Sequence, residues 1–243
     1  MSTELIYDAV GAIIRQQKMG PARLLDIGAG GGDLISRLRS EHEMFDCHAC
    51  DYYPESFRIG DVPFKRADID EEKLPYQDEA FDIITASEVI EHLHNPRNLI
   101  REGYRLLRKG GLFVLTTPNI LNMKSRLRFL FSGFYNLFGP IHLNSTDKHS
   151  THGHIMPLSY PYLYILLFRE GFRDISFTID KRQRSSSALH YAFFPLLLLG
   201  KQVFIVKERN KYKTLDDSNF DLTMNLFRGS LLTGRTLILS ARK

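Results

Sequence analysis

Residues 24–32 read LLDIGAGGG, and this stretch decides the fold. Its apolar first half predicts a short strand, its glycines predict a tight turn, and residues 33–39 predict the helix that follows. A turn without side chains lets the backbone approach a ligand closely. Asp51 lies 23 residues past Gly28, at the end of a second predicted strand, where a carboxylate can accept hydrogen bonds from both hydroxyls of a ribose. Together these features predict a site for a nucleotide-like cofactor.

Outward from this unit, strands and helices alternate along the chain. Further strands are predicted at 45–50, 63–67, 81–86, 112–117, 175–179 and 236–240. Helices are predicted at 4–18, 96–107 and 158–169, and the second of these should stop at Lys109, Gly110 and Gly111. The alternation predicts an α/β fold with a doubly wound, mostly parallel seven-stranded sheet and helices on both faces.

The 243 residues are predicted to form one domain, 1–243. Its core, 20–119, should be the cofactor-binding half. Two irregular stretches, 120–156 and 181–233, are predicted to be insertions that face the substrate or a membrane, because loops of that length are usually functional. A hydrophobic share of 43% and a charged share of 25% argue against a disordered or fibrous protein.

The composition also indicates a compartment. The longest apolar run, 188–200, is shorter than the roughly 20 residues of a membrane span, and the first residues lack the pattern of a signal peptide. Two cysteines, Cys47 and Cys50, cannot build a disulfide framework, so we expect a cytoplasmic protein. Their spacing on a strand places them on opposite faces, which argues against a redox site.

The motif around Asp26 indicates which cofactor to expect. Asp33 stands where the NAD fingerprint needs its third glycine, whereas Gly28, Gly30 and Gly32 alternate. A carboxylate at Asp26 suits a cofactor that carries an amino group. An acidic residue followed by G-x-G-x-G resembles the first motif of the class I S-adenosylmethionine-dependent methyltransferases, which implies a Rossmann-like fold and S-adenosylmethionine as cofactor.

The resemblance extends over about residues 20–120 and implies further site residues. Asp51 matches the acid that binds the ribose, and Asp68 matches the residue that binds the adenine amino group. Tyr52, which could lie against the adenine or simply cover a surface, completes the predicted cofactor set together with Ile69 and Ser87. The segments 74–82, 88–93 and 106–111 resemble the family in order. Beyond residue 120 only residues 153–155 and 171–172 resemble its small-molecule, lipid and glycan methyltransferases.

Histidines are the candidate catalytic bases. Methyl transfer from a sulfonium is an in-line displacement, so the protein mainly aligns donor and acceptor and excludes water. A hydroxyl or protonated amine acceptor also needs a base. The candidates are His92, His94, His149, His152 and His154. We favour His92, which follows the fourth strand, and His154, in the insertion that should cover the pocket; either could instead simply fix a loop. No metal is expected, since residues 149–154 lack the spacing of known zinc sites.

The two insertions are basic and apolar. Residues 120–140 carry a charge of +3 and residues 181–213 carry +7, which leaves −6 for the rest of a chain of net charge +4. A helical wheel puts six apolar residues on one arc, flanked by Lys124, Arg126 and Arg128; the six are Met123, Leu127, Leu130, Phe131, Phe134 and Leu137. We expect peripheral contact with the inner face of an anionic membrane and a small-molecule, lipid or lipid-linked glycan acceptor. A cap helix, a core element or a dimer element stays open for the same residues.

Three other functions are compatible with parts of the sequence. Basic surfaces also suit an RNA methyltransferase, but here the basic residues alternate with aliphatic ones more than with base-stacking aromatic ones, so nucleic acid is not the expected partner. A non-catalytic S-adenosylmethionine-binding regulator is compatible with the same motifs. An NAD-dependent oxidoreductase is disfavoured by Asp33. The sequence does not identify the acceptor, the methylated atom or the oligomeric state.

Overall fold

The computed structural model describes residues 4–18, 20–41, 43–142, 144 and 153–243. Seven strands form one sheet in the order β3-β2-β1-β4-β5-β7-β6. All neighbouring strands are parallel except β7, which runs antiparallel to both β5 and β6. The strands are β1 Ala22–Ile27, β2 Phe45–Asp51, β3 Phe64–Arg66, β4 Phe81–Ser87, β5 Leu107–Pro118, β6 Arg173–Ile179 and β7 Thr236–Arg242. The predicted doubly wound, mostly parallel sheet is confirmed.

Helices cover both faces of the sheet. They are α1 Glu4–Gln16, α2 Asp33–Glu41, α3 Pro96–Leu106, α4 Met123–Ser132, α5 Tyr160–Glu170, α6 Arg184–Ala192, α7 Phe194–Val206, α8 Phe220–Asn225 and α9 Gly229–Thr233. The predicted end of α3 at Lys109–Gly111 is wrong. Leu107 already pairs with Phe81 in the sheet, and the N–H of Gly110 donates to the carbonyl of Lys243. The glycines bend a strand here rather than stop a helix.

The sheet divides the apolar core into two layers. β2 shows the division, because Cys47 packs in one layer and Cys50 in the other. This confirms the prediction that their side chains point to opposite faces. Burial raises the pKa of Cys47 to about 11 and raises that of Cys50 further, so both thiols stay protonated near neutral pH.

Both insertions leave the sheet at the same edge. α4 follows β5 and α6 follows β6, and these two strands point the same way because each is antiparallel to β7. The two helices meet through a buried polar joint. The Asn122 amide oxygen accepts hydrogen bonds from the N–H of Ser125, at 2.9 Å, and from the hydroxyl of Ser186 on α6, at 3.1 Å. Asn119 donates through its side-chain amide to the carbonyls of Leu231 and Gly234.

The predicted amphipathic arc is only partly a helix. α4 ends at Ser132, and Gly133 follows in the left-handed conformation with φ 71°. Glycine commonly ends helices in this way because it lacks a Cβ. Phe134 and Leu137 therefore lie outside α4. Arg126 does not flank an exposed stripe. Its Nε donates to the Leu121 carbonyl at 2.7 Å, and burial lowers the pKa of its guanidinium.

The apolar run of 188–200 is not a core element. It spans the end of α6 and the first half of α7, and α7 contains no buried residue. Among the described residues, no single helix combines the length and the apolar composition of a membrane span. The helix pair Arg184–Ala192 and Phe194–Tyr212 is bent by 70°. Its two helices have that length and composition only when they are taken together.

Candidate functional site

A cavity of about 220 Å³ lies at the carboxyl ends of β1, β2, β3 and β4. Parallel strands place the residues that follow them at one edge, and the strand order reverses between β1 and β4, where open α/β sheets bind ligands. The lining residues are Ile27, Gly28, Gly30, Cys50, Asp51, Tyr52, Tyr53, Ala67, Asp68, Ile69, Leu74, Glu88, Val89, His92 and Leu93.

The glycine turn forms one wall of this cavity. Gly28 has φ 71°, and a Cβ there would lie 2.3 Å from the side chain of Val89, so only glycine fits. Gly30 also has a positive φ, but a Cβ there would meet no atom within 4 Å, because the residue faces open space beside the cavity. Gly32 was predicted to bind cofactor, yet it does not line the cavity and packs against Ile59 instead.

Asp51 stands at the end of β2 with its carboxylate held in place. One oxygen accepts the N–H of Gly30 at 2.8 Å, and the other accepts the N–H of Tyr53 at 3.0 Å. Two backbone donors fix the carboxylate at the tip of its strand, where it lines the cavity. Tyr52 lies beside it in the wall, with the guanidinium of Arg66 4.7 Å from its ring centre.

Asp68 and Ile69 form the wall that follows β3. Asp68 is 7% exposed, and one of its carboxylate oxygens accepts the N–H of Asp70 at 3.0 Å. The apolar Leu74 and Leu93 lie on the same cavity. An acid beside an apolar slot could bind a flat ring that carries an amino group.

Asp26 does not line the cavity but lies behind the glycine turn. It is 2% exposed and accepts a hydrogen bond from the hydroxyl of Thr85 at 2.7 Å. Burial raises the pKa of this carboxyl group from its ordinary 3.8 to about 7, although the Thr85 hydroxyl lowers it. Ser87 was also predicted in the cofactor set. It does not line the cavity, and its buried hydroxyl has no hydrogen-bond partner among the described residues.

The two favoured histidines meet. The ring centres of His92 and His154 are 4.8 Å apart, in an edge-to-face arrangement. His92 Nδ1 lies 3.1 Å from the carbonyl oxygen of Gly153, which requires Nδ1 to carry the proton and leaves a lone pair on Nε2. Burial lowers the pKa of His92, and burial followed by His92 itself lowers that of His154 to about 4. Both rings are therefore neutral near pH 7.

The other candidate histidines do not join this pair. His94 is exposed and does not line this cavity. His149 and His152 lie outside the described residues.

Two glutamates next to His92 were not singled out from the sequence. Glu88 lines the cavity, and burial raises its pKa to about 7. Glu91 is fully buried, and its pKa is raised well above the ordinary value by burial and then by Glu88. The Thr117 hydroxyl lies near Glu91, but neither Glu91 oxygen has a described donor in hydrogen-bond geometry. The available signal was two acids three positions apart directly after a buried strand.

Three of these side chains could together hold a metal ion. Ligand atoms of Glu91, His92 and His154 lie within 4.8 Å of one another. The buried Nδ1 of His154 has no hydrogen-bond partner among the described residues, as is also true of the Glu91 carboxylate. Two imidazoles and one carboxylate suit several divalent cations. These three residues are the candidate metal ligands among the described residues, and the expectation of no metal stays a prediction.

Comparison with known proteins finds similar methyltransferases. A family model described as a methyltransferase domain matches residues 8–161. The chain is 31% identical over 102 residues to a 27-O-demethylrifamycin SV methyltransferase of Amycolatopsis mediterranei, covering 38% of this chain and 37% of that protein. It is also 31% identical over 109 residues to a ubiquinone biosynthesis O-methyltransferase of Xanthomonas oryzae, covering 40% of this chain and 44% of that one. The matches thus span less than half of these relatives.

A solved structure matches the fold over almost the whole chain. It is a SAM-dependent methyltransferase from Archaeoglobus fulgidus, with a TM-score of 0.55 and 18% identity, and the match covers 98% of this chain and 94% of that one. At this identity the likeness concerns the fold alone. The family model covers well over half of the sequence, from α1 to the start of α5. The chain therefore belongs to the methyltransferase domain family, as a class I S-adenosylmethionine-dependent methyltransferase.

Proposed function

We propose that the protein transfers a methyl group from S-adenosylmethionine to a hydroxyl oxygen of a small-molecule or lipid-linked acceptor. The observation that carries this proposal is His92, a neutral histidine on the wall of the cofactor cavity. It contacts a second histidine and lies next to the buried Glu91 and the half-buried Glu88. The names of the relatives divide: an O-methyltransferase and a 27-O-demethylrifamycin methyltransferase support an oxygen acceptor, whereas a sarcosine/dimethylglycine N-methyltransferase of Aphanothece halophytica, 29% identical over 137 residues, supports a nitrogen acceptor. The choice of oxygen therefore rests on His92, which could accept a hydroxyl proton.

The cavity fits the cofactor. Gly30 leaves open space where a side chain would intrude, so a ligand can approach the backbone. Asp51, held by two backbone N–H groups, is placed to accept hydrogen bonds from two ribose hydroxyls. Asp68 and Ile69 would hold the adenine, with Tyr52 beside them. Asp26 would act from behind the turn on the cationic amino end.

S-adenosylmethionine, when bound, supplies an electrophilic methyl group. The protein then has to align the acceptor, exclude water and remove the hydroxyl proton. His92 can do the last of these, because its Nδ1–H is occupied by the Gly153 carbonyl and Nε2 keeps a lone pair. His154 supports the His92 ring by edge-to-face contact.

A divalent cation is a second way to activate the hydroxyl. The Glu91 carboxyl group, which has no donor in hydrogen-bond geometry among the described residues, and the lone pairs of the two histidines favour it, since one cation could contact all three. A bound cation lowers the pKa of a hydroxyl that contacts it, and no separate base need then lie close to the acceptor.

The first experiment tests turnover and identifies the acceptor class. Extract separated into lipid, glycan, RNA and protein pools is incubated with the protein and S-adenosylmethionine carrying a tritiated methyl group. Label in the lipid or small glycan pool supports the proposal. Label in RNA, or cofactor binding without any transfer, would instead identify an RNA methyltransferase or a regulator.

The second experiment tests the histidine. His92→Gln should lower kcat about a hundredfold or more while S-adenosylmethionine binding measured by calorimetry changes little. His94→Gln, at an exposed histidine outside the cavity, is the matched control. If EDTA abolishes the wild-type reaction and Mg²⁺ or Mn²⁺ restores it, the cation route operates. If His92→Gln retains full kcat and EDTA has no effect, this site does not handle the acceptor proton.

A further inference from the structure

α7 exposes an apolar surface that the fold does not cover. Leu196 and Leu199 are each 62% exposed, and Val206 is 54% exposed. Only residues 197, 201 and 205, one helical turn apart, are partly covered by the rest of the protein. A solvated helix of a soluble protein keeps polar residues on its outer face, so this surface indicates a partner.

The exposed surface continues onto α4. Leu130 of α4 and Phe193, which joins α6 to α7, line one shallow cleft together with Leu189. Leu130 is 73% exposed and its neighbour Phe131 is 81% exposed. The end of α4, the bend between α6 and α7, and α7 itself therefore form one apolar surface, named here the α4–α7 surface.

Basic side chains border this surface. Lys207, Arg209, Lys211 and Lys213 follow α7 directly, and all four are exposed. The one acid among them, Glu208, accepts a hydrogen bond from the Thr214 hydroxyl. On the other side of the surface, Lys124 and Arg128 of α4 are exposed as well.

We propose that the α4–α7 surface inserts into one leaflet of an anionic lipid bilayer, with the basic residues at the level of the headgroups. The combination of apolar residues that penetrate and lysines that border them is that of an interfacial anchor. A second copy of the chain fits less well, because a two-fold interface would bring the same cluster of positive charge from both copies together. The inference goes beyond the proposed methyl transfer and does not depend on it.

The surface lies on the cofactor side of the molecule. α4 and α6 both start from the carboxyl edge of the sheet, where the cavity opens. Arg235 and Asp180, at the base of the second insertion, act on the pKa of Glu88 in the cavity wall. A membrane-bound acceptor could therefore reach the cavity without leaving the bilayer surface.

Flotation of the full chain with lipid vesicles tests the proposal. The vesicles are pure phosphatidylcholine, or phosphatidylcholine with phosphatidylglycerol. We expect binding to the anionic vesicles that weakens with salt. Leu196→Glu with Leu199→Glu should abolish it, whereas Met44→Glu, at an apolar residue that is also exposed but lies between α2 and β2, should leave it unchanged.

A second variant separates charge from apolar insertion. Replacing Lys207, Lys211 and Lys213 by glutamine should weaken binding to anionic vesicles about a hundredfold. Each lysine near the membrane surface contributes a factor of about five to the affinity. Arg126 is not included, since it donates to the Leu121 carbonyl. Circular dichroism and S-adenosylmethionine binding verify that each variant is folded.

Two results would overturn the proposal. One is the absence of binding to either vesicle by folded wild-type protein. The other is a dimer in sedimentation experiments without lipid, if the double variant Leu196→Glu with Leu199→Glu dissociates that dimer. A second copy of the chain would then cover the surface. Neither result bears on turnover, so the proposed function is tested separately.

Discussion

Replacing Asp26 by asparagine should stabilise the folded protein above neutral pH. Asp26 is buried behind the glycine turn, and the pKa of its carboxyl group rises from the ordinary 3.8 to about 7. The folded state therefore binds more protons than the unfolded state between these values, and stability falls as the pH rises from about 4 through about 7. Asparagine keeps an acceptor for the Thr85 hydroxyl but carries no charge.

The size of the effect follows from the pKa difference. The interval from 3.8 to about 7 corresponds to about 4 kcal/mol. The free energy of unfolding of Asp26→Asn should exceed that of the wild type once the pH is above about 4. This excess should be about 1.5 kcal/mol larger at pH 5 than at pH 3.5, and it should reach about 4 kcal/mol above pH 8. Other titrating groups, such as Glu88, contribute to both proteins and largely cancel in the difference.

Urea unfolding without cofactor, followed by circular dichroism from about pH 3.5 to pH 8.5, measures this difference. Asp217→Asn, at an exposed aspartate, is the control and should track the wild type at every pH. If the curves of Asp26→Asn and wild type run parallel across the whole range, Asp26 titrates normally and the reasoning about its burial is refuted.

Three further predictions concern the glycine turn, the cofactor-binding acid and the polar joint. Gly28→Ala should lower the free energy of unfolding by about 2 kcal/mol more than Gly30→Ala, because both residues have positive φ but only a Cβ at residue 28 would meet Val89. Urea unfolding measures both losses, and equal losses would contradict the predicted clash with Val89. Asp51→Asn should weaken S-adenosylmethionine binding in calorimetry about tenfold, and an unchanged affinity would show that the carboxylate does not bind the ribose. Asn122→Ala should lower the free energy of unfolding by about 1 to 2 kcal/mol, measured by thermal unfolding, because it removes the acceptor for the N–H at the start of α4. Asn122→Asp should cost at least as much, because its buried carboxylate would face the Asn119 carbonyl oxygen to which the Asn122 amide donates at 2.6 Å.

The sheet could be predicted from the sequence because its signals are local. A buried parallel strand reads as an apolar run, and β4 is such a run between charged residues. The end of α3 could not be predicted in this way. Gly110 and Gly111 look like a helix stop, but the pairing of Leu107 with Phe81 makes the segment a strand, and that pairing joins residues far apart in the chain. The stop of α4 at Gly133 was a local signal, outweighed by the apolar periodicity.

The site was predictable where a residue ends a strand or comes shortly after one. Asp51 ends β2 and Asp68 comes two residues after β3, and the parallel sheet brings both to one cavity. Gly32 and Ser87 also lie close to strand ends, but the turn of the backbone directs them away from the cavity. The cluster around Glu91 depends on residues 153–156 folding back, where Ile155 and Met156 donate to the Glu91 carbonyl. No local pattern encodes a contact over that distance.

The polar joint of Asn119, Asn122 and Ser186 has a consequence for substrate length. Directional hydrogen bonds resist sliding more than apolar packing does, so the joint fixes α4 and α6 at one height relative to the sheet. If these helices lie at the lipid surface, the distance from the lipid headgroups to the reacting centre is fixed. Acceptors built with spacers of increasing length between lipid tail and hydroxyl should then show a sharp optimum in rate, and loosening the joint should broaden it.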